Sequence, residues 1–366
     1  MTPFEPAPPQ PVRLTLPLTR PRLVWGLMGI NVAVFIAEML LGGSENSQTL
    51  VTLGAKVNAL IVMGEYWRLV TPMFLHIGLA HILVNSYALY ALGPYVEATF
   101  SRARFLAIYL LSGVSGNVLS FAFTPNLSAG ASTAIFGLVG TQLAFFYRQR
   151  KAFGSFGRAR LMNILGVVAI NVLFGVVNQG VDNFGHLGGF IGGVTLGWLL
   201  CPDYTVEYGL DGQPHLTDQN SLRRGLPGVA LFIALLAAAA GVTTLVQANS
   251  PQVQLERGIA ALDHGDYAGA LPLLEQAAHK APSDPEAQYM LAACYFNLRR
   301  YTEAVPFFEA TLQIAPDFAD AHFYLALSYA QSGRRTDAVA HLRRYLVLAP
   351  ADEKADRAQQ LLAQLE

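Results

Sequence analysis

The sequence predicts an all-α chain in two parts: a polytopic membrane helix bundle, then a soluble α-solenoid. Three observations carry this. The first is charge. The 366 residues are 53% hydrophobic and only 13% charged, where an ordinary soluble domain has roughly 25% charged. Residues 1–250 hold 24 of the 49 charges and the last 116 residues hold the other 25. The second is a series of seven apolar stretches, each near the length that crosses a bilayer. The third is a 34-residue period in the last third of the chain.

Composition also excludes classes. Net charge is −1 overall, +4 for residues 1–250 and −5 beyond, and no basic block marks a nucleic-acid partner. The two cysteines, Cys201 and Cys294, cannot form a disulfide framework and have no metal-ligand spacing, so they read as packing residues. No metal or other cofactor is expected.

Taken in order, residues 1–21 form a tail with seven prolines and polyproline character. The apolar stretches follow at about 22–41, 79–97, 103–124, 131–148, 160–178, 185–201 and 226–247. The sixth is short and glycine-rich, with Gly185, Gly188, Gly189, Gly192 and Gly193. Glycines four apart leave a helix face without side chains, so this helix is expected at the bundle centre. Orientation follows from Lys and Arg in the connections. Arg13, Arg20, Arg22, Arg102, Arg104, Arg148, Arg150, Lys151, Arg158, Arg160, Arg223 and Arg224 lie on one side; Lys56 and Arg68 lie on the other. The N-terminus is therefore expected in the cytoplasm, in a cell membrane crossed seven times, with residues 251–366 outside.

In that last segment Pro282, Pro316 and Pro350 keep a 34-residue step, and so do Ala270, Ala304 and Ala338, and Leu274, Phe308 and Leu342. This is the tetratricopeptide period. Three repeats are expected over about 251–350, with a capping helix over 351–365. Such repeats present a concave face to a protein or peptide ligand.

Hydrogen-bonding side chains inside a bilayer are expensive and often functional. His81 and Asn85 share a face of the second helix, Ser132 opens the fourth and His186 opens the sixth. All four fall in or near the first turns of helices that run from outside to inside, so they lie at similar depth. A serine needs a base to become a nucleophile, and His186 is the one histidine in helices four to six. The Ser132 N–H at a helix N-terminus, the Asn85 amide and the His81 ring supply donors for an oxyanion. No carboxylate, Asp182 included, is clearly placed to orient His186, which favours a dyad. Any one of these residues alone reads as interhelical glue; their shared depth points to a serine hydrolase.

These residues bring a family into view. Tyr66-Trp67-Arg68, His81-Ile82-Leu83-Val84-Asn85, Gly130-Ala131-Ser132 with Ile135-Phe136-Gly137, and Gly185-His186-Leu187-Gly188-Gly189 resemble a rhomboid intramembrane serine protease over about 22–247. The resemblance implies a Ser132 nucleophile, a His186 base, and an oxyanion hole of Asn85, His81 and the Ser132 amide. It implies that Phe136 packs on the histidine, and that Trp67 and Arg68 build a first loop lying half in the outer leaflet. Glu97 would hold that loop or helix ends, and His76 would be structural. The seventh helix and the C-terminal repeats match the family's six-plus-one form. Two positions depart from the family pattern: Thr133 replaces a glycine after the nucleophile, and Thr99-Phe100-Ser101 lacks an expected glycine. The Thr133 hydroxyl is expected to bond back to a helix carbonyl.

The expected activity is endoproteolysis of transmembrane protein substrates near the outer face of the lipid bilayer, with the repeats recruiting substrate or partner. The loop at 179–184 is a candidate lid with Gly180 as hinge. The rival reading is an inactive rhomboid-like scaffold that binds membrane proteins. The loop charges make a direct prediction: added protease should degrade residues 251–366 in intact spheroplasts. Shielding of these residues until the membrane is broken would reverse the assigned orientation.

Overall fold

The computed structural model describes residues 19–178, 180–208 and 214–366; most of the proline-rich tail and Gln179 of the candidate lid lie outside them. The chain divides into two compact units, one ending at Thr244 and the other spanning Leu245–Glu366.

The first unit is a helix bundle. Its apolar stretches fold as α1 (Leu23–Leu40), α4 (Leu79–Phe100), α5 (Arg102–Phe123), α6 (Ser132–Arg148), α7 (Arg150–Val177), α8 (Asn183–Leu199) and α9 (Leu222–Gln247). Helices α1, α5, α7 and α9 are long and apolar enough by themselves to cross a membrane. Helices α6 and α8 have 17 residues each, and α4 carries His81, Asn85 and Glu97 within it. Between α1 and α4 lie two short helices, α2 (Ser47–Leu53) and α3 (Asn58–Val62), and two 3-10 turns, Tyr66–Leu69 and Thr71–Phe74. This loop exposes Met63, Tyr66, Trp67 and Val70 on its surface while Arg68 is buried beneath them. The Arg68 guanidinium donates to Glu65 Oε2 at 2.6 Å, Val51 O at 2.7 Å and Ala55 O at 3.0 Å, and lies 4.4 Å from the Trp67 ring centroid.

Three features differ from the sequence expectation. The charged segment Arg150–Arg160 is not a loop but the start of α7, which bends at Gly154. A hairpin, β1 (Tyr204–Tyr208) with β2 (Pro214–Asp218), fills the connection to α9. It is fastened to the helix ends by Arg104, which pairs with Asp218 at 2.5 Å, and by the Tyr204 hydroxyl donating to Thr99 O at 2.9 Å. Where the expected glycine is missing, Ser101 adopts a positive φ of 75° between α4 and α5, a conformation glycine takes without cost.

The bundle is organised around α8, packed between α5 and α6. Its glycines let backbones touch. A Cβ at Gly193 would stand 1.9 Å from Gly137 O, and one at Gly189 2.0 Å from Thr133 O. Close approach also creates interhelical hydrogen bonds. Thr141 Oγ1 donates to Gly193 O at 3.0 Å, and Ser115 Oγ to Gly188 O at 2.9 Å. In lipid, packing of this kind substitutes for the absent hydrophobic drive between helices.

The second unit is a helical-repeat array: α10 (Pro251–Asp263) with α11 (Tyr267–Lys280), α12 (Pro285–Asn297) with α13 (Tyr301–Ile314), α14 (Ala319–Gln331) with α15 (Arg335–Leu348), and a final α16 (Ala355–Leu365). Ala270, Ala304 and Ala338 are fully buried at equivalent contacts, as are Leu274, Phe308 and Leu342. Pro282, Pro316 and Pro350 each stand two residues past a helix end, where a missing N–H stops the helix.

The glycine contact predicts a contrast. Gly193→Leu drives a side chain into the α6 backbone and should cost at least about 3 kcal/mol, the upper end of overpacking. Gly241→Leu, where nothing lies within 4 Å, should leave thermal unfolding in detergent within about 2 °C of wild type, since surface changes stay within ±0.5 kcal/mol.

Candidate active site

Five of the sequence-predicted residues line one cavity of about 520 Å³: His81, Asn85, Ser132, Phe136 and His186. Ser132, His81 and His186 are placed by helix starts, and Asn85 and Phe136 lie one turn further along α4 and α6. Gly130 precedes Ser132 with φ +141°, and its N–H donates to Pro72 O at 2.8 Å. A Cβ there would stand 2.7 Å from the His81 ring, so only glycine fits. The chain then turns into α6 with Ser132 as its first residue. Asp182 caps α8: its Oδ1 accepts from Gly185 N–H at 2.8 Å and its carbonyl from His186 N–H at 3.0 Å, an N-cap arrangement.

His186 Nε2 lies 2.9 Å from Ser132 Oγ. The Phe136 ring stacks on the imidazole at 4.3 Å between centroids and 14° between planes. The buried Asn85 Nδ2 has no hydrogen-bond partner. His81 Nδ1 accepts from Ile77 N–H at 3.3 Å, which leaves the neutral ring's proton on Nε2, beside Gly130. The first amides of α6 have no intrahelical acceptor. The cavity thus holds a hydroxyl against an imidazole, with unused N–H donors beside them. Among the described residues no carboxylate hydrogen-bonds the His186 ring, and no group of three or more His, Cys, Asp or Glu could hold a metal ion.

Trp67, Arg68 and Glu97 do not line the cavity. Trp67 and Arg68 belong to the first loop. Glu97, sixteen residues along α4 from His81 and so about 24 Å away at 1.5 Å per residue, is fully buried. It accepts from the N–H groups of Arg22, Leu23 and Val24 at 2.7, 2.9 and 3.0 Å. It holds a helix end, that of α1, rather than the loop. His76 is fully buried, and its N–H donates to Glu38 Oε1 at 2.9 Å.

Thr133 departs from expectation. Its hydroxyl is buried without a partner instead of bonding a helix carbonyl. Its side chain turns toward Gly116 of α5, where an added Cβ would stand 2.7 Å from Thr133 Cβ. The glycine missing after Ser132 is therefore compensated by one on α5.

Residues not singled out in the sequence complete the cavity. Val167, Asn171, Phe174 and Asn178 line it from α7 and its C-terminal end; Val167 and Phe174 have the spacing of any apolar helix, whereas the Asn171 amide within an apolar stretch is a signal of the same kind as Asn85. Asp182 also accepts from the hydroxyls of Ser120, Ser128 and Thr124, the last two at 2.8 and 3.1 Å. An Asp directly before a glycine-rich helix is a legible N-cap signal, but its other partners are not. Lys56, from the α2–α3 connection, is fully buried; its Nζ donates to Thr124 O at 2.6 Å.

A rhomboid-domain family model matches residues 63–203, and two tetratricopeptide-repeat models match 255–317 and 298–365. The chain is 35% identical over 302 residues to rhomboid protease GluP of Bacillus subtilis (strain 168), covering 75% of this chain and 58% of GluP. It is 36% identical over 218 residues to rhomboid-like protease 2 of Toxoplasma gondii, covering 57% of this chain and 75% of that protein. RHOMBOID-like protein 9, chloroplastic, of Arabidopsis thaliana is 36% identical over 186 residues, covering 48% of this chain and 42% of its own length. The chain belongs to the rhomboid family of membrane proteins and carries tetratricopeptide repeats. It spans roughly half the length of the first of these relatives and less of the plant protein.

Thr133 gives a test of the packing. Thr133→Val keeps the shape and removes an unsatisfied hydroxyl, so it should raise stability by about 1 kcal/mol. Thermal unfolding in detergent checks this; a drop in stability would mean the hydroxyl has a partner.

Proposed function

We propose that this chain is an intramembrane serine endopeptidase that cuts transmembrane substrates near the outer face of a cell membrane. The observation that carries the reading is the 2.9 Å contact between Ser132 Oγ and His186 Nε2, under the stacked Phe136 ring and beside unpartnered donors. Ser132 attacks the scissile carbonyl carbon as His186 takes its proton at Nε2. The oxyanion that forms accepts from the Asn85 amide, the His81 Nε2–H and the Ser132 N–H. His186 then returns the proton to the leaving amine, an acyl-enzyme remains on Ser132, and water activated by His186 releases it. Phe136 keeps the imidazole in plane through both transfers. With no carboxylate on the ring among the described residues, the pair works as a dyad.

Entry is argued from the cavity walls. One wall is α4, through Val84, Ala88 and Leu92; another is α7, through Val167 and Phe174. Helix α7 is sparsely covered: of its 28 residues, Gly157, Ile164 and Gly175 are the buried ones. A substrate segment between α4 and α7 reaches Ser132 from the lipid. Its peptide bond must first leave helical hydrogen bonding, which favours small or helix-breaking residues at the cut. The distribution of Lys and Arg supports a cytoplasmic N-terminus; the repeats would then lie outside and recruit substrate ectodomains or a partner protein.

Ser132→Ala and His186→Ala should each abolish cleavage of a single-pass model substrate by folded protein. Asn85→Ala should lower kcat by up to about a hundredfold, the scale of one oxyanion donor. Cleavage near the wild-type rate by either dyad variant would end the assignment.

A further inference from the structure

Beside the dyad lies a buried polar knot that the proposed chemistry does not use. Lys56 and Ser128 form an antiparallel bridge, with Lys56 N–H donating to Ser128 O at 2.9 Å and Ser128 N–H to Lys56 O at 3.2 Å. The Lys56 ammonium reaches across to Thr124 O. Asp182 enters from the other side. Its carboxylate collects the hydroxyls of Ser120, Thr124 and Ser128 and the N–H of Gly185. These donors come from the end of α5, the connection between α5 and α6, and the start of α8. Ser128 precedes Ser132 by four residues, and Asp182 precedes His186 by four. One carboxylate therefore sits where the segments carrying the two reacting side chains cross.

We infer that Asp182 is a positioning residue for the dyad: with Lys56 as its counter-charge, it ties the 124–131 connection to the first turn of α8 and so sets the separation of Ser132 Oγ from His186 Nε2. The inference rests on the reading of Ser132 as nucleophile and His186 as base. It assigns Asp182 no proton transfer. Burial pushes the Asp182 carboxyl up, but the hydrogen bonds from Ser120, Gly185 and Ser128 and the Lys56 charge outweigh it, leaving the group below its ordinary value. It therefore remains an ionised, four-donor acceptor at neutral pH. Burial pulls Lys56 down to about 8, with Asp182 opposing. A looser carboxylate would let two loops drift, and dyad geometry is sensitive to displacements near 1 Å.

The test uses the full chain in proteoliposomes, with active sites titrated so that misfolded protein does not count. Asp182→Ala should lower kcat per active site at least tenfold and leave KM within twofold. Asp182→Asn, which keeps an acceptor for Gly185 and one hydroxyl, should recover kcat to within threefold of wild type. If Asp182→Ala does not fold, Ser128→Ala removes a single donor and should lower kcat about threefold at unchanged KM. A wild-type kcat per site in Asp182→Ala or Ser128→Ala, an effect confined to KM, or no recovery in Asp182→Asn would overturn the inference. Ser132→Ala run alongside separates the two levels: activity there would sink the enzyme reading itself, whereas an inactive Ser132→Ala beside a fully active Asp182→Ala would sink only the positioning role.

Discussion

The contact on which the rest of the bundle depends is backbone against backbone between α6 and α8. Gly137 faces Gly193 and Thr133 faces Gly189, with no room for a Cβ on α8 at either place. This separation lets the first residue of α6 meet the fourth residue of α8 at hydrogen-bond distance. In a bilayer the helices gain little from hiding apolar surface, because lipid tails are as apolar as leucine. Close packing and the hydroxyl-to-carbonyl bonds of Thr141 and Ser115 hold them instead. Catalytic geometry in the proposed reading is thus inherited from the most closely packed helix pair of the bundle.

Around that closely packed pair the structure is graded. Helix α5 locks against α8, and the first loop is pinned by Arg68 and by Asn117 Nδ2 donating to Leu69 O at 2.9 Å. Helix α7, by contrast, presents Ile170, Leu173, Val176 and Val177 outward and touches the core mainly through α6. In the proposed reading, a closely packed Ser132–His186 pair beside a sparsely covered wall suits a substrate that arrives as a helix in lipid. The repeat unit is built by different physics: small residues at a 34-residue step let helix pairs nest, and each buries its apolar face on the next.

The sequence made much of this legible because the signals were local or periodic. Seven apolar stretches, the glycine spacing in α8 and the 34-residue step each leave a mark that chain order preserves. Ser132, His186, His81 and Asn85 could be singled out because polar side chains in or near the first turns of apolar helices are anomalous. What stayed hidden was made by contacts between distant loops. Nothing in the residues around Lys56 says that its ammonium is fully buried against Thr124, 68 positions on. Nothing around Arg104 announces a hairpin partner at Asp218. Thr133 shows the limit from the other direction: its chemistry suggested a bond to its own helix, whereas the shape of Gly116 on α5 decided where the side chain went.

The central claim is that Ser132 is a nucleophile activated by His186. Reaction of the full-length protein with a fluorophosphonate, followed by peptide mass mapping, tests it most directly. The account predicts one phosphonyl adduct, on Ser132, and its loss in His186→Ala. An adduct on another serine, or undiminished labelling of Ser132 without His186, would contradict it.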